Sequence, residues 1–191
     1  MYHDDIRFIL ASASPRRVEL LSRAGYAFDV MSADVDEVKI EDESPHEYVT
    51  RLAIEKASMV ALRHADRIVL AADTVVLVGT DIFGKPQDSN DAARMLRLLS
   101  GRTHNVLTGV AVRFGGRCIS GTEMTAVSLV ELNETLIKWY VDTGETSDKA
   151  GSYGVQGLAS RFVSRVEGSY SNVVGLPLVL AERLLRACAQ R

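Results

Sequence analysis

Two long strand-like runs, Thr103 to Phe114 and Arg117 to Val130, are separated only by Gly115-Gly116. Paired glycines between two such runs signal a hairpin, because both residues can take the positive φ of a tight two-residue turn. A chain with so long a hairpin is not a pure βαβ repeat. The order of segments suggests a mixed sheet with long hairpins.

The rest of the chain alternates strand-like and helix-like segments. Phe8-Ile9-Leu10-Ala11 is an apolar run too short for a helix and reads as a strand. Pro15 suits a first helical position, with Ser14 as N-cap, Val18, Leu21 and Ala24 on one face, and Gly25 as the stop. Ser44-Pro45-His46-Glu47 has the pattern of a capping box and opens a helix carrying Tyr48, Leu52, Glu55, Lys56 and Met59. Arg67 to Val78 reads as a buried strand that holds one acid, turned by Gly79-Thr80-Asp81 into a second strand. Ser89 opens a short helix closed by Gly101, and Asn133 caps another to about Asp142. A glycine-rich loop at 151–157, a strand near Phe162 to Val166 and a helix over Leu178 to Ala187 complete the series. The expected fold is α/β, a mixed twisted sheet with flanking helices. No linker or repeat interrupts the 191 residues, so residues 1–191 are expected to form a single domain, with two lobes but no independent domains.

The formal net charge is −3, so no global positive field attracts nucleic acid or anionic lipid. A polyanion must be gripped by a few placed cations, and no basic-aromatic run suggests nucleic-acid binding. Cys118 and Cys188 have no metal-ligand spacing and read as reduced thiols. His3, His46, His64 and His104 show no ligand spacing either. Met1 to Arg7 lacks the basic-then-apolar pattern of a signal sequence, and the apolar stretch Val173 to Ala181 is far short of the roughly 20 residues that span a bilayer. The expected location is cytoplasmic, with no membrane partner.

Three segments are candidates for chemistry. At Ser12-Ala13-Ser14-Pro15-Arg16-Arg17 a strand turns into a helix. Helix N-termini carry unpaired N–H groups and partial positive charge, to which two hydroxyls and two guanidinium forks would add. A plain cap followed by two solvated arginines has the same pattern. Asp73 interrupts an apolar strand, where an unpaired carboxylate is costly to bury. Pairing with a cation such as Lys56 or Lys85, binding a metal, catalysis, or backbone N–H donors would each account for it. The acidic stretch Asp34, Asp36 and Glu37 is either a solvated loop or a source of further hard oxygen donors suited to Mg²⁺ or Mn²⁺. The loop Lys149-Ala150-Gly151-Ser152-Tyr153-Gly154-Val155-Gln156-Gly157 lets backbone approach a ligand, and the Gln156 amide can read a base edge, or it is a surface connection. There is no GxGxxG or GxxxxGK[ST] motif.

Taken in order, these segments resemble the Maf family of nucleotide pyrophosphatases. The match runs through Ala11 to Leu21, Asp36-Glu37, Arg51-Leu52-Ala53-Ile54-Glu55-Lys56-Ala57, Ala72-Asp73-Thr74 and Gly84-Lys85-Pro86. It continues through Leu99 to His104, Lys149-Ala150-Gly151, Gln156-Gly157 and Val174-Gly175-Leu176-Pro177. The resemblance implies two lobes around a central cleft, similar to inosine triphosphate pyrophosphatases, and hydrolysis of a nucleoside triphosphate to monophosphate and pyrophosphate. It also implies a divalent cation (Mg, Mn or Co) and a homodimer. By position it makes Asp73 the catalytic acid/base, with Glu37 and Asp73 toward the metal. Ser12, Arg16, Arg17, Lys56 and Lys85 fall at phosphate-binding positions, and Arg16, Thr74 and Gln156 at positions tied to substrate choice. Arg16 and the Tyr-Gly-x-Gln-Gly loop are similar to the branch acting on dTTP and UTP. The branch preferring 7-methyl-GTP has a bulky aromatic in place of Arg16. Broader triphosphate specificity, or a nucleotide-binding regulator of cell division whose hydrolysis is incidental, would carry the same cleft residues.

Overall fold

The structure is a computed structural model and describes residues 6–190; His3 lies outside them. The chain order is β1 (Phe8–Ala11), α1 (Pro15–Arg23), β2 (Phe28–Met31), α2 (Pro45–Ala61), β3 (Ile68–Val78), β4 (Asp81–Phe83) and α3 (Ser89–Leu99). There follow β5 (Thr103–Phe114), β6 (Arg117–Leu129), α4 (Glu134–Asp142), β7 (Val163–Glu167), α5 (Tyr170–Val174) and α6 (Leu178–Ala189). The strands order as β2-β1-β3-β5-β6-β7, with β4 added on β3. β1 pairs in parallel with β2 and β3, whereas β4 on β3 and β7 on β6 are antiparallel. The sheet is therefore mixed, as the hairpin requires. Among the described residues no helix is long and apolar enough to cross a membrane.

The chain divides into two compact units. The first holds the residues up to Asp73, Thr108–Glu123 and those from Gly175 on; the second holds Thr74–Leu107 and Met124–Val174. Strands β3, β5 and β6 contribute residues to both.

In the first unit, strand alternation sends residues to two cores. Phe8, Leu10, Leu70, Ala72, Val110 and Val112 pack with Leu21 of α1 and with Leu180, Leu184 and Leu185 of α6. Ile9, Ala11, Val69, Ala71 and Ala111 pack on the other face with Ala53, Ala57 and Val60 of α2. Small residues dominate this second face, so α2 lies close on the sheet. A Cβ on Gly109 would come 2.3 Å from the carbonyl oxygen of Val49 in α2, well inside any real contact. Helix α1 ends as its sequence directs. Gly25 takes φ 82°, with Gly25 N–H on the Ser22 carbonyl and Tyr26 N–H on that of Leu21, which is a Schellman stop. The capping box at Ser44 and Glu47 forms in full.

In the second unit, Val76, Phe83, Leu96, Leu99, Val106, Val127, Ile137, Tyr140 and Phe162 form one core, built from parts of the hairpin strands with α3 and α4.

Three local expectations change. Ser14 stands at the N-cap with extended backbone, but its side chain makes no capping bond. Instead the Ser14 N–H donates to Ser12 Oγ at 3.2 Å, so Ser12 organises the turn. Strand β2 and the five-residue α5 were not foreseen, and the glycine-rich loop is bounded by 3-10 turns at Ala150–Ser152 and Leu158–Arg161.

Candidate active site

In open α/β sheets, ligands gather beyond the carboxyl ends of parallel strands. In the first unit three adjacent parallel strands deliver their next residues there. β1 ends at Ala11 and releases Ser12, and β2 ends opposite it at Met31 and releases the segment carrying Glu37. β3 runs on past its last β1 pairing at Leu70 and carries Asp73.

The fourth participant comes from α2. Its buried positions are Val49, Leu52, Ala53, Lys56, Ala57, Val60 and Ala61, a helical stripe with one charged member. Strand alternation places Asp73 on the Val69/Ala71 face, the face that α2 covers. Two nearly buried charges therefore meet: Lys56 Nζ donates to Asp73 Oδ1 at 2.6 Å. The same ammonium donates to Glu37 Oε1 at 2.6 Å, and the Glu37 side chain is half exposed. Lys56 is thus clamped between two carboxylates.

Burial pushes the Asp73 carboxyl above its ordinary range, and Glu37 adds to that push, while Lys56 and Arg17 pull the other way; the net direction is upward. Arg17, on the first turn of α1, donates from Nε to the Gly175 carbonyl at 2.8 Å and from Nη1 to Ser12 Oγ at 3.2 Å. Burial pulls its guanidinium down, and Asp73 acts in the opposite sense. Ser12 thereby ties Arg17 to the end of β1. Arg16 is half-buried beside it.

The donor set suits a hard divalent cation. Asp73 uses only Oδ1 on Lys56, and its Oδ2 takes no bond from a described residue. No group of three or more His, Cys, Asp and Glu side chains gathers as a metal cage among the described residues. Two carboxylates with the remaining positions left to water and phosphate oxygens is the usual manner of holding Mg²⁺. Asp73 and Glu37 fit that pattern.

The other sequence candidates, Thr74, Lys85 and Gln156, belong to the second unit. Thr74 follows Asp73 on β3 and is half-buried. Lys85 is exposed and follows Gly84, whose carbonyl accepts the Gly151 N–H at 3.0 Å, so Lys85 adjoins the glycine loop. Gly151 must be glycine. It has φ 67°, and a Cβ there would come 2.8 Å from the Val76 side chain. The loop is anchored by buried Tyr153, whose hydroxyl lies 2.7 Å from Nε2 of buried His104. Burial pulls His104 down to about 4 and pushes Tyr153 up, so both are neutral near pH 7. Gln156 is exposed at the tip.

Three residues escaped the sequence reading. The Tyr48 hydroxyl donates to the Glu37 carbonyl at 2.8 Å, and burial with the nearby Asp73 and Glu37 charges pushes its own pKa up to about 12. Arg51 donates to Glu43 and to the Val38 carbonyl. Glu145 fills the space beside Gly157 and accepts from Tyr140 Oη at 2.8 Å and Leu158 N–H at 2.9 Å. Tyr48 and Arg51 act on backbone carbonyls, which no residue pattern encodes. Arg51 does lie in the Arg-Leu-Ala-Ile-Glu-Lys-Ala motif, the one available signal.

Comparison with known proteins agrees with this architecture. The family model described as Maf-like protein matches residues 7–188. The chain is 51% identical over 185 residues to a dTTP/UTP pyrophosphatase of Anaeromyxobacter dehalogenans, covering 94% of this chain and 93% of that one. It is 48% identical to a dTTP/UTP pyrophosphatase of Shewanella denitrificans, over 96% and 97% of the two chains. Among solved structures, the Staphylococcus aureus Ham1 protein superposes with a TM-score of 0.50 at 12% identity, over 95% of this chain and 96% of that one, a likeness of fold.

Proposed function

The chain belongs to the Maf-like protein family, and from that premise we propose that it hydrolyses dTTP and UTP to the nucleoside monophosphate and pyrophosphate. The observation that carries the chemistry is Asp73, a nearly buried carboxylate with a raised pKa, held by Lys56 beside the cationic turn of Ser12 and Arg17. The choice of pyrimidine substrates follows the relatives' names together with Arg16 and Gln156.

In this reading water attacks the α-phosphorus, and the bond from that phosphorus to the bridging oxygen of pyrophosphate breaks. Asp73 orients the water and takes its proton, a task for which a raised pKa makes a carboxylate a better base. Lys56 holds Asp73 in place and keeps it ionised. Arg16, Arg17, Ser12 and the α1 N-terminus stabilise negative charge on the phosphates, and by its place in the family motif Lys85 is a further phosphate-binding candidate. Asp73 and Glu37 would hold the divalent cation, which when bound neutralises phosphate charge. Gln156 offers a donor and an acceptor to a pyrimidine edge, and Thr74 is the second residue of base selection.

The test is a panel of dTTP, UTP, 7-methyl-GTP and the ordinary triphosphates, with Mg²⁺, Mn²⁺ or Co²⁺, assayed for monophosphate and pyrophosphate. Preferential turnover of dTTP and UTP is the expected result. No pyrophosphate from either would overturn the proposal.

A further inference from the structure

We propose that Arg51 is a positioning residue that fixes the Glu37 segment beyond β2, and with it the Glu37 carboxylate, against α2. The inference rests on the proposed function for its kinetic readout but on geometry for its origin. Residues 32–44 contain no helix or strand, and although Ala33 packs on the sheet core, apolar packing does not hold the stretch from Asp36 on: Val38 is 66% exposed and Ile40 55%. Polar bonds from α2 do so instead.

The Arg51 guanidinium reaches the stretch at two points, Val38 and Glu43. Nε donates to Glu43 Oε1 at 2.7 Å and Nη2 to Glu43 Oε2 at 2.9 Å, a two-pronged pair in which the Glu43 side chain is 8% exposed. Nη2 also donates to the Val38 carbonyl at 3.1 Å, one residue from Glu37. Nη1 meets Glu55 one helical turn on, at 3.2 Å, which orients the fork from behind. Glu43 Oε2 in turn accepts the Ile40 N–H at 3.3 Å. The Tyr48 hydroxyl closes the series on the Glu37 carbonyl, with the guanidinium carbon 5.6 Å from the centre of its ring.

The segment is thus bonded to α2 at Glu37, Val38 and Glu43 through two side chains one turn apart, and Ile40 is tied to Glu43 within the segment. Lys56, the other partner of Glu37, lies on the same helix, C-terminal to Arg51. A single rigid element therefore sets both the Glu37 backbone and its carboxylate partner. Lysine in place of Arg51 keeps the charge but lacks the planar fork, so it cannot keep the two-pronged pair with Glu43 while also reaching the Val38 carbonyl and Glu55.

The experiment compares wild type, Arg51→Lys, Tyr48→Phe, Glu37→Gln and the Arg51→Lys/Glu37→Gln double variant. It measures dTTP turnover across a Mg²⁺ titration and hydrogen exchange over residues 36–43. Arg51→Lys is expected to lower kcat/KM and raise the half-saturating Mg²⁺ concentration by about tenfold, the scale on which supporting partners act. Tyr48→Phe, which deletes one hydroxyl, is expected to shift both in the same sense by less. In the Glu37→Gln background Arg51→Lys should add nothing, because the two act as one unit. Exchange of residues 36–43 should rise about tenfold in Arg51→Lys while the amides of α2 stay protected. Equal factors in both backgrounds, or unchanged exchange, would overturn the proposal. Should the wild type release no pyrophosphate, the proposed function fails by itself, and exchange in Arg51→Lys and Tyr48→Phe decides whether this clamp exists.

Discussion

Asp73 and Lys56 are each costly to bury alone and are tolerated only together. Replacing Lys56 with Met should destabilise the protein by about 3–5 kcal/mol, because it strands a carboxylate in an apolar face. It should also move the acid limb of the pH–rate profile upward. Lys56 holds the Asp73 pKa down, and the carboxylate must be ionised to accept a proton. Urea unfolding and a pH series of kcat/KM check the two effects. Asp73→Asn keeps the shape but removes the proposed base, and turnover on dTTP should fall by roughly 10²–10⁴ with the circular dichroism spectrum unchanged. His104 supplies a separate test. Burial lowers its pKa to about 4, so the unfolded chain binds the proton more readily. The stabilisation from its neutral form is complete above about pH 6.5 and is lost as pH falls toward 4, on the order of 3 kcal/mol in all. The paired change His104→Phe with Tyr153→Phe removes both polar groups together, and the slope of stability against pH in that window should flatten.

At the scale of elements, the seat of α2 and the glycine loop depend on absent side chains. Gly109→Ala would drive a methyl into the Val49 backbone, 2.3 Å from its carbonyl oxygen. A loss of about 1–3 kcal/mol or more is expected in denaturant unfolding, with reduced turnover because Lys56 rides on the same helix. Gly157→Ala meets the Glu145 carboxylate at 2.3 Å, and that carboxylate is pinned by Tyr140 and Leu158. The expected outcome is a raised KM for dTTP with kcat less affected, partly restored when Glu145 is also made Ala. The elements that could be read from sequence are those with chemical punctuation. Gly115-Gly116 gave both edges of the hairpin, and Asn133, Ser44 and Gly25 gave helix ends. Strand β2 escaped because its four residues, Phe28 to Met31, show no buried alternation and Val30 is 49% exposed. Asp73 stood out as an acid in an apolar run, and the choice between Lys56 and Lys85 as its partner needed the register of α2 on the sheet. Tyr48 and Arg51 hold carbonyls, so nothing in their own pattern pointed to Glu37.

For the whole molecule, each unit has its own core, yet β3, β5 and β6 run from one to the other. Melting either core severs strands that the other uses, so a single cooperative transition is expected. The sole tryptophan, Trp139, lies on α4 in the second unit, under the Arg161 guanidinium at 4.8 Å. Its fluorescence reports that unit alone, whereas far-ultraviolet dichroism reports both. Coincident urea midpoints by the two probes are the expected result, and separated midpoints would show that the units melt independently. The turn at Gly115 and Gly116 has a different use. Gly115 holds the turn at φ 56°, whereas a side chain added at Gly116 would find no atom within 4 Å, although the strands behind it are shared by both cores. Gly116 is therefore a natural handle: a fluorophore attached there would hang in open solvent and leave the Asp73 cluster undisturbed.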